Sequence, residues 1–234
     1  MANILAIDTS SAWCSVALSL GDQAPELRHE AVSAGASQLL LPWIESLLSE
    51  GNISLKNLDA IAVGIGPGAF TGVRLGVAAV QGLAISNNLP VISVISQDAI
   101  AAQLINTSAF KKINPRYFVI AIDARMEEVY WARYETQSDL LLKRIGDIHL
   151  TKPEGINLDG IGFLAGSALN AYKDRLPNFT GNLDSEISIS ALGILDCAKQ
   201  IFAKGLQHDV RQLEPMYIRN KVALTTAERE EAFK

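Results

Sequence analysis

Two aspartates end similar apolar runs in the two halves of the sequence, and carboxylates placed in this way could hold a nucleotide. Ile4–Asp8 reads Ile-Leu-Ala-Ile-Asp, and Phe118–Asp123 reads Phe-Val-Ile-Ala-Ile-Asp. Each carboxylate could hold a metal-bound water or the Mg²⁺ of a bound phosphate. Alternatively, each aspartate caps the turn that follows its strand. The residues alone leave both interpretations open.

A glycine-rich segment, Val63–Gly76, could contribute to the same site. It follows a buried strand and opens a helix, so its main-chain N–H groups could cradle an anion. No Lys follows the glycines, which excludes a P-loop, and the spacing is not the dinucleotide fingerprint. Together with the aspartates it predicts a weak site for ATP or ADP with Mg²⁺, at Asp8, Thr9, Ser10, Gly66, Gly68, Asp123 and Arg125.

Groups that could carry covalent or metal chemistry are few and scattered. His29, His149 and His208 are isolated, and none has a second His or Cys at metal-ligand spacing. The serines after Asp8 have no histidine near them in the sequence, and a nucleophile elbow is absent. The sequence therefore predicts no catalytic residue, no metal site and no required cofactor.

Two predicted helices, over 37–50 and 70–85, are apolar on almost every side. One sheet can cover only one face of each helix, so the surplus apolar surface predicts an interface with a partner protein. Gly72, Gly76 and Ala79 form a small-residue stripe that would let another helix approach closely. A third covering layer within the chain is the alternative. The predicted interface residues are Leu40, Trp43, Ile44, Leu47, Gly72, Val73, Gly76, Ala79 and Val80.

The repeated strand–turn–strand opening predicts a duplicated α/β unit. Asn, Thr, Ser, Lys and Pro gather over 106–115, which is typical of a connection between two lobes. We therefore expect an N-terminal lobe over 1–105, which carries the partner-binding helices, and a C-terminal lobe over 106–234. A helix over 190–205 is expected to pack back on the N-terminal lobe.

Composition excludes several classes of protein. With 234 residues and 49% hydrophobic residues the chain is not intrinsically disordered. A net charge of −5 makes it a poor candidate for binding nucleic acid by itself, because phosphate binding needs clustered Lys and Arg. The first residues lack the basic start of a signal peptide, so we expect a cytoplasmic protein that does not enter a membrane.

Four blocks of sequence resemble a known family. They are Ile4–Ser10, Gly66–Gly76, Ala121–Trp131 and Glu214–Asn220, in that order along nearly the whole chain. Together they are similar to the bacterial TsaB (YeaZ) family of tRNA threonylcarbamoyladenosine (t6A) synthesis. The resemblance implies a two-lobed actin/Hsp70/sugar-kinase-like fold, built from duplicated ribonuclease-H-like domains, which agrees with the duplication inferred above.

The resemblance also implies a role and its partners. Members of this family accompany a catalytic paralogue, TsaD, which forms N6-threonylcarbamoyladenosine at position 37 of tRNAs that read codons beginning with A. TsaE, an ATPase, is implied as the third subunit of the complex. The family implies a homodimer when the protein is alone, a heterodimer with TsaD through the first two helices, and contact with tRNA only through the complex.

The resemblance also implies that this chain lacks the metal site of the catalytic paralogue, which argues against catalysis by this chain. The paralogue has a His-x-x-x-His pair that binds its metal, and Ser96 and Ile100 stand at the corresponding positions here. Neither residue binds a metal as imidazole does. The preferred function is therefore a non-catalytic scaffold and activator of TsaD. An ATP-dependent phosphotransferase or ATPase with a nucleotide cleft between the lobes is the alternative, and a peptidase is a third.

Overall fold

The computed structural model describes residues 2–32, 35–137 and 142–219. Residues 220–234 of the predicted C-terminal lobe, with Asn220 of the fourth sequence block, lie outside the described residues.

The N-terminal half forms a five-stranded sheet in the order β3-β2-β1-β4-β5. The first three strands are antiparallel neighbours, whereas β4 and β5 continue parallel to β1. The parallel strands are rich in β-branched residues and largely buried, as is typical of strands covered on both faces. The strands are β1 (Ile4–Asp8), β2 (Trp13–Ser19), β3 (Glu26–Ala31), β4 (Ala60–Gly66) and β5 (Val91–Ile95).

The C-terminal half repeats the same arrangement, which confirms the predicted duplication. Its sheet has the order β10-β9-β6-β7-β8, with three antiparallel strands first in the chain and two parallel strands added on the other side of β6. The strands are β6 (Tyr117–Asp123), β7 (Val129–Thr136), β8 (Leu142–Thr151), β9 (Phe163–Ala165) and β10 (Asn182–Asp184). The result is a two-lobed α/β fold of the expected class.

Helices lie on both faces of the N-terminal sheet. On one face, α1 and α2 bury their apolar stripes against β1, β2 and β4. On the other face, α3 and α6 lie between the two sheets and share one core with both. The helices are α1 (Ala36–Glu50), α2 (Phe70–Asn87), α3 (Ser96–Leu104), α4 (Ser108–Ile113), α5 (Ala168–Ala171) and α6 (Ala191–Ala203).

Helix α6 belongs to the second half of the chain but packs on the first. The Oε1 atom of Gln103 on α3 accepts hydrogen bonds from Ser190 N and Oγ and from Gly193 N, which satisfies the first turn of α6. Gly193 has no side chain where the Ala99 carbonyl approaches, so the two helices lie close together. The lobes are therefore joined by packed helices as well as by the connection through α4.

Among the helices that the structure describes, none combines the length and the apolar character needed to cross a bilayer.

Candidate functional site

Four glycines spaced four residues apart hold the turn between β1 and β2. Gly64 is in β4, Gly68 is in the loop, and Gly72 and Gly76 are in α2. At each of them the space that a side chain would fill is taken by the segment Asp8–Ser10. We call these four residues the glycine cradle. It brings β4 and α2 closer to that turn than any larger residue allows.

The contacts in the cradle are direct. A Cβ at Gly72 would overlap the Thr9 carbonyl oxygen, and a Cβ at Gly68 would overlap the Ser10 carbonyl oxygen. The Thr9 hydroxyl donates to the Gly72 carbonyl at 2.7 Å. The Ala69 N–H donates to the Ser10 carbonyl at 2.6 Å. The Ala69 N–H and the Gly72 carbonyl are therefore paired within the chain, and the cradle holds a peptide turn.

Asp8 is fully buried beneath this turn. Its Oδ2 accepts a hydrogen bond from Ser10 N at 3.1 Å, and its Oδ1 has no hydrogen-bond partner among the described residues. Burial raises the pKa of the Asp8 carboxyl to about 6, although hydrogen bonds from Ser10 act in the opposite direction. Asp8 therefore caps its turn, which is the alternative that the sequence had left open.

Asp123 makes the same local contact in the second lobe. Its Oδ1 accepts hydrogen bonds from Arg125 N at 2.8 Å and from the Tyr172 hydroxyl at 2.7 Å. Its Oδ2 forms an ion pair with the Arg125 guanidinium at 3.1 Å. Desolvation and the Asp123 carboxylate raise the pKa of Tyr172 to about 12, which keeps that hydroxyl a donor. The duplication thus preserves an aspartate-capped turn in both lobes.

A cleft of about 940 Å³ lies between the lobes, and only part of the predicted nucleotide site lines it. Ser10, Gly68, Asp123 and Arg125 form part of its wall, whereas Asp8, Thr9 and Gly66 do not. Asp8 is buried in its own lobe instead of lining the cleft with Asp123, so the structure does not bring the two aspartates together there.

The cleft offers few free oxygen ligands for the Mg²⁺ of a nucleotide. Among the described residues its one carboxylate is that of Asp123, which is engaged by Arg125 and Tyr172. Ser96 and Ile100, which stand where the paralogue's histidines are expected, line the cleft as a hydroxyl and an alkyl group. Within the described ranges, no three His, Cys, Asp or Glu side chains converge at a possible metal site.

The sequence did not reveal a segment near the C-terminus that forms part of the cleft wall. Met216, Tyr217 and Arg219 line the cleft and contact both lobes. The fourth sequence block marked this segment, but it has no periodicity or charge pattern that would place it. Apart from that block, one signal for the position of the segment was the spacing of Phe70 and Arg74 on α2, against which Tyr217 packs.

The predicted partner-binding residues need a correction. Trp43, Gly72 and Ala79 are half-buried, and the remaining six are buried in the core of their own lobe. Those six fill the space between the sheet and the two helices, where a partner cannot reach them. They are Leu40, Ile44, Leu47, Val73, Gly76 and Val80. The close approach predicted at Gly72 and Gly76 is real, but the approaching group is Thr9 of the same chain.

The opposite faces of α1 and α2 carry apolar groups that nothing covers among the described residues. Leu41 is 54% exposed and Ile85 is 64% exposed. Ala78 and Gly82 are exposed on α2, and Leu75 on the same helix is half-exposed. Arg74 is the only charged residue of α2. We call Leu41, Leu75, Ala78, Gly82 and Ile85 the outer face.

Comparisons with a family model, with individual proteins and with solved structures all find relatives in the synthesis of threonylcarbamoyladenosine or of the YeaZ type. The model of the family described as "TsaD: tRNA N6-adenosine threonylcarbamoyltransferase" matches residues 29–227. The tRNA threonylcarbamoyladenosine biosynthesis protein TsaB of Escherichia coli K12 is 36% identical over 94% of this chain and 96% of its own. The TsaB protein of Haemophilus influenzae is 34% identical over 94% of both chains. The solved structure of YeaZ from Pseudomonas aeruginosa superposes with a TM-score of 0.82 at 34% identity, over 93% of this chain and all of that one.

We expect Gly72→Ala to destabilise the protein by at least about 2 kcal/mol, because its Cβ would overlap the Thr9 carbonyl. Gly82→Ala is a matched control on the same helix, since a Cβ at Gly82 meets nothing within 4 Å. It should stabilise the protein by about 0.5–1 kcal/mol through helix propensity. Urea unfolding of both variants measures the difference. Equal effects of the two substitutions would contradict the cradle.

The stability of the protein should depend on the ionisation of Asp8. Its pKa is raised in the folded state to about 6 from 3.8, so the folded protein binds this proton more tightly than the unfolded chain. The associated stability is fully present below pH 3.8 and is lost as the pH rises through about 6. Between pH 5 and pH 8 the wild type should lose about 1 kcal/mol relative to Asp8→Asn. A difference between the two proteins that stays constant over this range in urea unfolding would contradict the assignment.

Proposed function

The chain belongs to the TsaB (YeaZ) family, within the larger TsaD family, and from this premise we propose that it acts in the formation of threonylcarbamoyladenosine in tRNA. In this proposal it is a non-catalytic scaffold and activator of TsaD. TsaD carries out the transfer at position 37 of tRNAs that read codons beginning with A.

The cleft supports a non-catalytic role. The two residues at the positions of the paralogue's histidines, Ser96 and Ile100, are almost fully buried and offer no imidazole. The Ser96 hydroxyl lies 3.4 Å from the Ser10 hydroxyl, so it contacts the turn between β1 and β2 that Asp8 caps. The carboxylates of Asp8 and Asp123 each accept a main-chain hydrogen bond that closes a turn. In the described part of the cleft no nucleophile is paired with a general base.

The outer face is the observation that carries the proposal of a partner. It presents Leu41 of α1 and Ile85 of α2 to solvent, together with the small residues Ala78 and Gly82, and α2 has a single charged residue. An apolar surface of this kind lowers its free energy when another protein covers it. Ala78 and Gly82 leave room for a helix to approach closely. We propose that corresponding helices of TsaD occupy this face, and that a second copy of the chain occupies it when TsaD is absent.

Other parts of the assembly follow from the family and remain predictions. TsaE is expected as the third subunit. Contact with tRNA is expected only through the complex, because the chain has a net charge of −5 and would be repelled by phosphates. A cytoplasmic location is also expected.

The alternative of an ATP-dependent phosphotransferase or ATPase finds no support in the geometry. Mg²⁺ in such a site needs several free oxygen ligands, and Asp8 does not reach the cleft. Weak binding of ATP or ADP with Mg²⁺ stays a prediction.

Ile85→Glu should weaken the complex with TsaD by at least about tenfold, because binding would bury an unpaired charge. Leu183→Glu is a matched control, since Leu183 is 57% exposed on β10 of the other lobe. Size-exclusion chromatography with light scattering of each protein mixed with TsaD measures the fraction that forms the heterodimer. If Ile85→Glu and the wild type form the heterodimer equally well, the outer face is not the interface.

A further inference from the structure

The segment 214–219, which we call the strap, crosses from one lobe to the other beside the cleft. It leaves the N-terminal lobe next to α2, where the Gln81 side-chain amide donates to the Leu213 carbonyl at 2.8 Å. Met216, Tyr217, Ile218 and Arg219 then line the cleft. The strap thus forms a wall of the cleft that contains no helix or strand.

The strap is fastened to the N-terminal lobe at two points. Met216 N donates to the Ile65 carbonyl near the end of β4 at 2.8 Å. The Arg74 Nε atom donates to the Tyr217 hydroxyl at 2.9 Å, and the same guanidinium lies 3.6 Å from the centre of the Phe70 ring. This attachment is shallow, since Tyr217 remains 54% exposed and one main-chain hydrogen bond joins the strap to the strand.

The attachment to the C-terminal lobe depends on one side chain. The Arg219 guanidinium donates to the Ala124 carbonyl at 3.1 Å and to the Arg125 carbonyl at 3.4 Å, and it pairs with the Glu128 carboxylate. The side chain of Arg219 is only 15% exposed. All these acceptors belong to the turn between β6 and β7.

That turn has an unusual conformation. Arg125, Met126 and Glu127 have φ angles of 59°, 52° and 60°, so three successive residues with side chains lie in the left-handed region. Such a run is unfavourable for L-amino acids and persists only where surrounding contacts hold it. The Arg219 guanidinium binds the carbonyls of Ala124 and Arg125, at the start of this run.

We propose that the strap is a releasable latch, which holds the two walls of the cleft together through Arg219 and the strained β6–β7 turn. With Arg219 bound, the turn stays left-handed and the strap stays in the cleft wall. When Arg219 leaves, the turn relaxes, the strap lifts from Ile65 and the cleft widens. The latch concerns access to the cleft and goes beyond the proposed function, which depends on the outer face.

Hydrogen exchange of the full-length chain, read by mass spectrometry, tests the latch. In Arg219→Ala we expect exchange to rise about tenfold in two separate segments, 122–130 and 213–219, because they open together and Met216 N leaves the Ile65 carbonyl. Strands β1 and β2 should exchange as in the wild type. Arg211→Ala is the matched control, because Arg211 is exposed and pairs only with Asp209 among the described residues; it should leave both segments unchanged.

Glu128→Gln is a second variant. It keeps the shape of the side chain that pairs with Arg219 and removes the negative charge of the carboxylate. It should raise exchange in the same two segments by a smaller factor, and it decides the question if Arg219→Ala fails to fold. A rise confined to residues 217–219 would overturn the proposal, since Arg219 would then hold only its own neighbours. A rise spread evenly over the chain, β1 included, would also overturn it, because Arg219 would then act on global stability alone.

Discussion

The close approach of the β1–β2 turn to the glycine cradle is the constraint on which the rest of the structure depends. Thr9 and Ser10 lie against main chain at Gly68 and Gly72, where a single added carbon would overlap a carbonyl oxygen. This contact fixes the position of α2 relative to the sheet. Helix α2 in turn presents the outer face, and at its N-terminal end Phe70 and Arg74 support the strap.

The same constraint bears on the nucleotide site that the sequence predicted. The cradle covers Asp8, so the carboxylate that could have faced the cleft is buried with a raised pKa. Its counterpart Asp123 is engaged by Arg125 and Tyr172. The interface that we propose is instead the outer face of α1 and α2, on the outside of the N-terminal lobe.

Much of the fold followed from the sequence, because the two halves repeat one pattern of strands and turns. The face of the two helices that is left exposed did not follow. A helix that is apolar on every side gives no periodicity from which to choose the buried face, so the predicted interface included Leu40 and Val80, which lie in the core. Glycine spacing indicated a close approach at Gly72 but could not say that Thr9 was the approaching group.

Long-range contacts account for what the sequence could not predict. Asp8 caps its turn through the neighbouring Ser10, but Gly64 and Gly72, which pack against that turn, are far from it in the chain. The strap is an extended segment whose position depends on single side chains, chiefly Arg219. Neither hydrophobic periodicity nor turn chemistry encodes such contacts.

Formation of threonylcarbamoyladenosine by purified components tests the central claim most directly, namely that the outer face and not the cleft carries the function. TsaD, TsaE, tRNA and the activated threonylcarbamoyl donor would be combined with the wild-type chain, with Ile85→Glu or with Asp123→Asn. The account predicts that the modified nucleoside forms with the wild type and with Asp123→Asn, and that little forms with Ile85→Glu. Loss of product with Asp123→Asn, together with full activity of Ile85→Glu, would contradict it.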